Sequence, residues 1–570
     1  MSSPSSTNSS TQVASLAEAL SALNAERERV AELTRERDCL RASHERLRLE
    51  LELLRRRIFV AKAERVDTRQ LELDFAATLA QLDQLAGTTP AALHSNSEVG
   101  PSASTPARKP PAGRRDLSKL PLEEERIELT DPVLEQLVVE GKAERFDFET
   151  SYKLAYKRGG YRRLAVARAK YRVLDQAGAS QIETTELPPE CFARSLAAPS
   201  VLGHIITEKF SDGLPLNRIE SRADREGASL DRGTMSRWVE DAGATAGATV
   251  VAAMRKEALS TAFCIATDAT GIAVLPEPRA DGTRQPCRRG HYFVLIADRD
   301  HVLYEYAPKE TSAFVAQMLK GYTGYVQADA KNVYDILFRE PDKPPPDGWA
   351  KKEEVGCWSH CRRGFWEATC AKSEVAREGL ARIGRIFALE DAWRGEAPER
   401  IRQLRAQHLA PHFEAFFAWV KAEHEKVRDQ RGLLRSALGY AIRQEAPLRR
   451  VLDDGRLVLE NNRSERALRK IAMGRKSWLF VGSDGHAQSA ANLLTLVASA
   501  RLHGLDPEAY LRDLFRVLAL WPRDRYLELA PKYWAATRAR LDAGQLAMEV
   551  GPLTVPPSVA PATQEQPAAD

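Results

Sequence analysis

No stretch of the 570 residues approaches the run of roughly 20 apolar side chains that a membrane-crossing helix needs. The opening MSSPSSTNSSTQ lacks the basic start and apolar stretch of a secretory leader. Cysteine is sparse: seven are scattered without a framework spacing, which excludes a disulfide scaffold and fits a reducing cytoplasm. A strong charge of one sign is also missing, since 83 Lys and Arg face 79 Asp and Glu for a net +4. That balance does not by itself imply nucleic acid, so any such reading must rest on local clusters. There is no internal repeat.

What is present is a long soluble-type chain, 43% hydrophobic and 28% charged, of a length that suggests about three or four folding units. After a leader over residues 1–14, apolar residues recur at seven-residue steps, Leu16, Leu23, Val30, Leu51 and Ile58, with a companion row Leu33, Leu40, Leu47 and Leu54. This predicts a helical, dimerising coiled-coil region over 15–86, with a helical hairpin as the competitor because Arg37 and His44 break the first row. Residues 87–118 and 546–570 are rich in Pro, Ala, Ser, Thr or Gln and are expected to be a disordered linker and tail. Between them we expect a small β-containing module over 119–199, a helix-turn-helix region over 200–250, a catalytic domain over 258–500 and a helical segment over 501–545.

Tyr152–Val173 carries eight Lys or Arg and no acid, interleaved with four tyrosines. Two readings stand level: a phosphate-contacting surface, or a half-buried strand with a solvated cationic face. From Ser200 the pattern is helical. Pro215 suits a first turn, Gly227 a helix end, and Asp231 can cap a helix bearing Arg232, Thr234, Ser236 and Arg237. Short polar and cationic side chains at the start of a second helix are what major-groove reading uses, although plain helix packing has the same look.

From Phe263 the runs FCIATDATGIAVL, HYFVLIADRD and HVLYEYAP read as three strands, then Ser312–Lys320 as a helix and GYVQADAKNVYDILF as a fourth strand. Three strands, a helix and a strand open an RNase H-like sheet. Asp268 is expected to end the first strand and Asp329 the fourth. Those strands are neighbours in such a sheet, so the carboxylates meet although about 60 residues separate them. Paired hard oxygen ligands suit divalent cations in phosphoryl transfer to and from DNA. A third carboxylate should come from a later helix, and Glu465 stands among Arg463, Arg466, Arg469, Lys470, Arg475 and Lys476. Asp298, Asp300, Asp454, Glu460 and Asp484 are weaker alternatives. Cys357, His360 and Cys361 lack a clear fourth zinc ligand besides Cys370, so a packed strand end is preferred there.

The motifs CWxHxRR (Cys357, Trp358, His360, Arg362, Arg363), NNxxERxLR (Asn461, Asn462, Glu465, Arg466, Leu468, Arg469) and RKxWLFxGS (Arg475, Lys476, Trp478, Leu479, Phe480, Gly482, Ser483) follow the two aspartates in order. In this the chain resembles the insertion-sequence-66 family of bacterial transposases from about Ser200 to Trp534. The resemblance implies a DDE-type catalytic core with Asp268, Asp329 and Glu465 as catalytic and metal-binding residues. It also implies a helical insertion at about 375–450, two Mg²⁺ (or Mn²⁺) ions, and double-stranded DNA from transposon ends and target as partner. Arg232, Arg237, Arg362, Arg363, Arg466, Arg469, Arg475 and Lys476 would contact that DNA, and His360 and Asn462 would neighbour the active site. A homodimer or higher oligomer is expected from the heptads and a cytoplasmic, nucleoid-associated location from the absent leader and scattered cysteines with DNA as partner, and accessory proteins of the same element are further expected partners. One departure stands out: the family's two CxxC knuckles are missing, so no zinc site is expected in the 119–199 module.

Overall fold

The structure, a computed structural model, describes residues 29, 30, 33, 117, 120–174, 180–192, 195–276, 283, 285–338, 350–370 and 373–558. The chain divides into two compact units, Met1–Arg114 and Arg115–Asp570. In the first, Arg29, Val30 and Leu33 are helical and exposed; the rest of the heptad region, the leader and nearly all of the linker lie outside the described residues. The second unit is mixed α/β.

It begins with a four-stranded sheet, β1 (Glu123–Leu129), β2 (Ala143–Lys157), β3 (Gly160–Leu174) and β4 (Ser180–Thr184), with α1 (Pro132–Val139) after β1. β3 lies between β1, which it pairs in parallel, and β2, which it pairs antiparallel. The tight β2–β3 hairpin turns at Gly159, whose φ of 110° disfavours any side chain. Leu164 to Ala167, Ala169 and Tyr171 are buried, so the Tyr and Arg rich segment is the half-buried strand. Seven of its eight cations meet acids: Lys153 pairs with Glu190, Arg158 with Asp506, Arg162 with Glu123, Arg163 with Glu124, Arg168 with Glu149, Lys170 with Asp147 and Arg172 with Glu144.

Helices α2 (Pro199–Phe210), α3 (Leu216–Arg225), α4 (Arg232–Ala246) and α5 (Ala252–Thr261) follow. Gly227 turns the chain at φ 80°, and the Asp231 carboxylate caps α4 by accepting the Thr234 amide at 3.0 Å. α4 is no free-standing reader. A Cβ added at Gly243 would come 2.3 Å from the Ser489 carbonyl, and one at Gly247 2.0 Å from the Asn492 amide, so the helix is seated against α14, named below.

The second sheet has strand order β7-β6-β5-β8-β9, from β5 (Cys264–Val274), β6 (Arg288–Ala297), β7 (His301–Ala307), β8 (Tyr325–Gln327) and β9 (Glu353–Val355), with α6 (Ser312–Met318) between β7 and β8. β5, β6 and β7 run antiparallel and β8 and β9 parallel to β5. A helical lobe then extends from α7 (Trp358–Cys370) through α8 (Glu374–Ala392), α9 (Pro398–Leu404), α10 (Ala410–Lys426) and α11 (Leu433–Arg443) to α12 (Glu445–Arg449). It has its own core of Trp358, Phe365, Phe413, Phe416 and Phe417. The chain returns through α13 (Asn462–Trp478) and α14 (Asp484–Leu502), and closes with α15 (Pro507–Val517), α16 (Pro531–Arg538) and α17 (Ala543–Ala547).

Two expectations are corrected. The CWxHxRR motif does not end a strand: Trp358 opens α7, and its indole donates to the Leu448 carbonyl at 3.0 Å. The tail does not lose order at residue 546, because Leu546 and Val550 are buried and the Arg516 guanidinium donates to the carbonyls of Met548 and Gly551. One arginine thus supplies the donors that an irregular backbone needs.

Candidate active site

Strand register brings the two aspartates together. β5 and β8 pair Cys264 with Tyr325, Ile265 with Val326 and Ala266 with Gln327, so two residues further the same register sets Asp268 beside Asp329. Asp268 does not end β5 as expected; on the β6 side pairing continues, Asp268 opposite Val294, as far as Val274. Only the β8 side has stopped, so Asp268 has a free flank there while a ladder holds it on the other.

Lys331 lies between the pair, its Nζ 3.2 Å from Asp329 Oδ2, 3.7 Å from Asp268 Oδ1 and 3.8 Å from Glu310 Oε1. Burial works against the Lys331 charge, but Asp329 and Asp268 outweigh it and raise its pKa. Burial raises the Asp268 carboxyl, and the Asp329 charge adds to that despite the hydrogen bond from the Ala269 amide. Asp329 Oδ1 and His360 Nδ1 are buried with no hydrogen-bond partner. A buried carboxylate oxygen left orphaned beside a second carboxylate is a donor set that fits a hard divalent cation.

Glu465 arrives on the first turn of α13. The Asn461 side chain, buried just before the helix, donates to the Thr267 carbonyl at 2.8 Å and accepts from Ser464 Oγ at 2.7 Å, tying the start of α13 to the residue before Asp268. Near the helix end, Arg475 donates to the Gly271 carbonyl at 2.9 Å. Glu465 Oε1 is 3.2 Å from Arg363 Nη2 and 3.6 Å from His360 Nε2. His360 in turn is close enough to help hold Asp268 charged. The structure therefore gathers Asp268 with Asp329 around Lys331, and sets Glu465 against His360 and Arg363. Among the described residues, no three His, Cys, Asp or Glu are grouped tightly enough to hold one metal ion.

The alternative acids are engaged elsewhere. Asp298 accepts the amides of Phe263 and Cys264, Asp300 pairs with Lys532, Glu460 accepts from Ser359, Asp454 pairs with Arg456, and Asp484 with Arg288 and Tyr306. Cys357 and Cys361 are buried, and burial raises both thiols.

Of the residues expected to meet DNA, Arg232, Arg362, Arg363, Arg466, Arg469, Arg475 and Lys476 are exposed, while Arg237 is half-buried and donates to Thr234. Arg363 has a nearer task, holding Glu465. Ser236 faces His486 at 3.3 Å, which leaves the first turn of α4 as its open part. Sequence reasoning passed over Lys331, although it stands two residues after Asp329, and over Asn461, which makes the bonds expected of the site while Asn462 only opens the helix.

With one acid on β5 and another just past the strand paired to it, a cationic helix tied to β5 and a helical lobe inserted before that helix, the molecule belongs with the transposases. Residues 194–489 match the Transposase IS66 family and residues 495–531 the IS66 C-terminal element, so the chain belongs to the IS66 transposase family. Residues 46–127 match a third family, described as Transposase C of IS166 homeodomain. Two similar proteins from Sinorhizobium fredii (strain NBRC 101917 / NGR234) are described as uncharacterized protein y4hP and uncharacterized protein y4qI. The first is 25% identical over 519 residues, 86% of this chain and 89% of the relative; the second is 26% identical over 380 residues, 65% and 68%. No solved structure matches the chain. No helix of the described residues is long and apolar enough to cross a membrane.

Proposed function

We propose that this transposase works by DDE chemistry on an RNase H-like core, cleaving DNA at transposon ends and joining the freed 3′-hydroxyl to target DNA. The observation that carries the reading is the parallel pairing of β5 with β8, which brings Asp268 in β5 beside Asp329, two residues past the end of β8, with Lys331 against both. Asp268, Asp329 and Glu465 would hold two Mg²⁺ or Mn²⁺ ions. Such ions, when bound, lower the pKa of an attacking water or 3′-hydroxyl and stabilise the leaving oxygen. Asn461 keeps the Glu465 helix against β5, and Arg363 and His360 fix where the Glu465 carboxylate points. Arg466, Arg469 and Lys476 neutralise backbone phosphates and position the duplex without reading its sequence. The N-terminal heptads supply a dimer or higher oligomer, and Arg232 and Arg237 of α4 contact the transposon ends. In the full-length protein, Asp268→Asn is expected to keep binding to the transposon ends and lose cleavage in Mg²⁺; normal cleavage by that variant would sink the assignment.

A second reading, a transposase-derived DNA-binding protein that does not cut, has one observation behind it. The Lys331 ammonium sits against both aspartates, where a cation would lie. DNA binding with no strand breakage in either Mg²⁺ or Mn²⁺ decides for it.

A further inference from the structure

Scattered exposed apolar side chains are ordinary on a protein surface, but a group of them inside a cationic segment is not. Met473, Leu479 and Phe480 are exposed by 63%, 68% and 46%, and they lie between Lys470 and Val481 with Arg475 and Lys476 among them. Leu479 also holds a backbone that leucine rarely adopts, φ 66° and ψ −53°, at the end of α13. The Phe480 amide donates to the Trp478 carbonyl at 2.8 Å, which makes Leu479 the centre of a tight γ-turn of the rare positive-φ kind.

Such a conformation persists only where its surroundings enforce it. Here they do on both sides. Before the turn, the Leu479 amide is bonded to the Arg475 carbonyl, and the Trp478 ring packs over Gly474 and edge-on against Phe210 at 5.7 Å. After it, Val481 is joined to the outgoing end of β5: its amide donates to Ala273 and its carbonyl accepts from Leu275. The result is two apolar side chains held outward on a rigid corner, anchored to the strand that carries Asp268 and flanked by exposed cations.

We propose that the Leu479–Phe480 corner is a wedge that enters an unstacked base step of double-stranded DNA held along α13. The inference rests on the DNA reading above and deepens it. Cations flanking the corner match the phosphate backbone, and an apolar side chain pushed between bases is a known means of kinking a duplex. The cost of unstacking falls on the DNA, so a duplex with a step already loosened binds better.

The test uses the full-length protein and two duplexes of equal length, one fully paired and one with a central two-base mismatch beside a 2-aminopurine. The wild type is expected to prefer the mismatched duplex about tenfold, the scale of an unstacking cost already met, and to raise the 2-aminopurine fluorescence. Leu479→Gly and Phe480→Ala are each expected to erase the preference and the fluorescence change while keeping the salt dependence of paired-duplex binding. Glycine accepts a positive φ freely, so Leu479→Gly should melt no lower than wild type and a folding defect cannot explain its loss. Unchanged preference in the double variant overturns the wedge, as does a wild type that binds both duplexes equally. If the variants lose self-association and keep the preference, the corner is a contact between copies and the wedge is wrong. A wild type that binds neither duplex overturns the DNA reading beneath it.

Discussion

Strand β3 and helix α13 are both rich in arginine and lysine, and the structure treats them in opposite ways. On β3 and its hairpin, seven cations each meet an acid, five of them on β1 or β2 and two in the loops that carry Glu190 and Asp506. On α13, Arg466, Arg469, Arg475 and Lys476 are exposed, and the acid in the helix's first turn, Glu465, is claimed by Arg363 and His360 from another helix. A related contrast holds at the aspartates, where Asp268 and Asp329 both approach Lys331 and an oxygen of Asp329 is buried without a hydrogen-bond partner. A fold that meets each cation with an acid in one place, and in another leaves arginines exposed and a carboxylate oxygen without a hydrogen-bond partner, has left room there for something that is not protein.

The largest expected effect comes from α13. Arg466→Ala combined with Arg469→Ala should weaken duplex binding roughly tenfold or more at moderate salt, and should make the plot of log affinity against log salt shallower by about two. A slope that does not move would show that α13 is no more a phosphate surface than β3, and the comparison would fail.

Next is the Lys331 ammonium, which occupies the place of a cation between the aspartates. Lys331→Met should lower stability by on the order of 1 kcal/mol, a small effect because the side chain is nearly half exposed and solvent screens its pairs. It should also make the melting temperature rise more steeply with added Mg²⁺ than in wild type, since ammonium and metal ion compete for the same oxygens. An identical Mg²⁺ response in the two proteins would remove Lys331 from that place.

The Asp268 carboxyl gives a pH signature. Burial raises its pKa above the ordinary 3.8, with Asp329 adding to the shift. For a carboxyl raised on folding, the stabilising contribution is complete below the unfolded value and is lost as pH climbs through the folded one. At neutral pH the charged Asp268 is therefore a cost to folding. Asp268→Asn should melt above wild type at neutral pH, and the gap should close as pH falls toward 3.8 and below. A gap independent of pH would mean the aspartates are compensated like the β3 arginines.

How much of this was legible beforehand depends on whether local pattern or long-range pairing decides. Alternation marked β5, β6 and β7, and helical spacing marked the lobe after Asp329, because burial periodicity is written along each segment. The position of Asp268 within β5 was misjudged, since that strand ends at different places toward β6 and toward β8, and only sheet order tells the two apart. Asn461 and Asn462 look equivalent in a motif, yet only the first is turned toward Thr267. Lys331 is not legible because an isolated lysine carries no pattern; its meaning comes from two carboxylates about 60 residues apart in the chain. Nor could the level readings of Tyr152–Val173 be separated without the acids of β1 and β2, which belong to other parts of the chain.

The smallest effect is the one that completes the comparison. Arg168 and Arg172 face Glu149 and Glu144 across the β2–β3 ladder, and these pairs are partly exposed. Exposed ion pairs contribute little, because the attraction is screened and two long side chains must be held still. Arg168→Ala with Arg172→Ala should cost about 1 kcal/mol at most. Duplex affinity and its salt slope should stay as in wild type, since each guanidinium already has a carboxylate and releases no counterion when DNA approaches. If the slope instead falls as it does for α13, the acids of β1 and β2 do not shield β3. The module would then be a second phosphate surface despite its pairing, and uncompensated charge would no longer separate the DNA-facing part of this molecule from the rest.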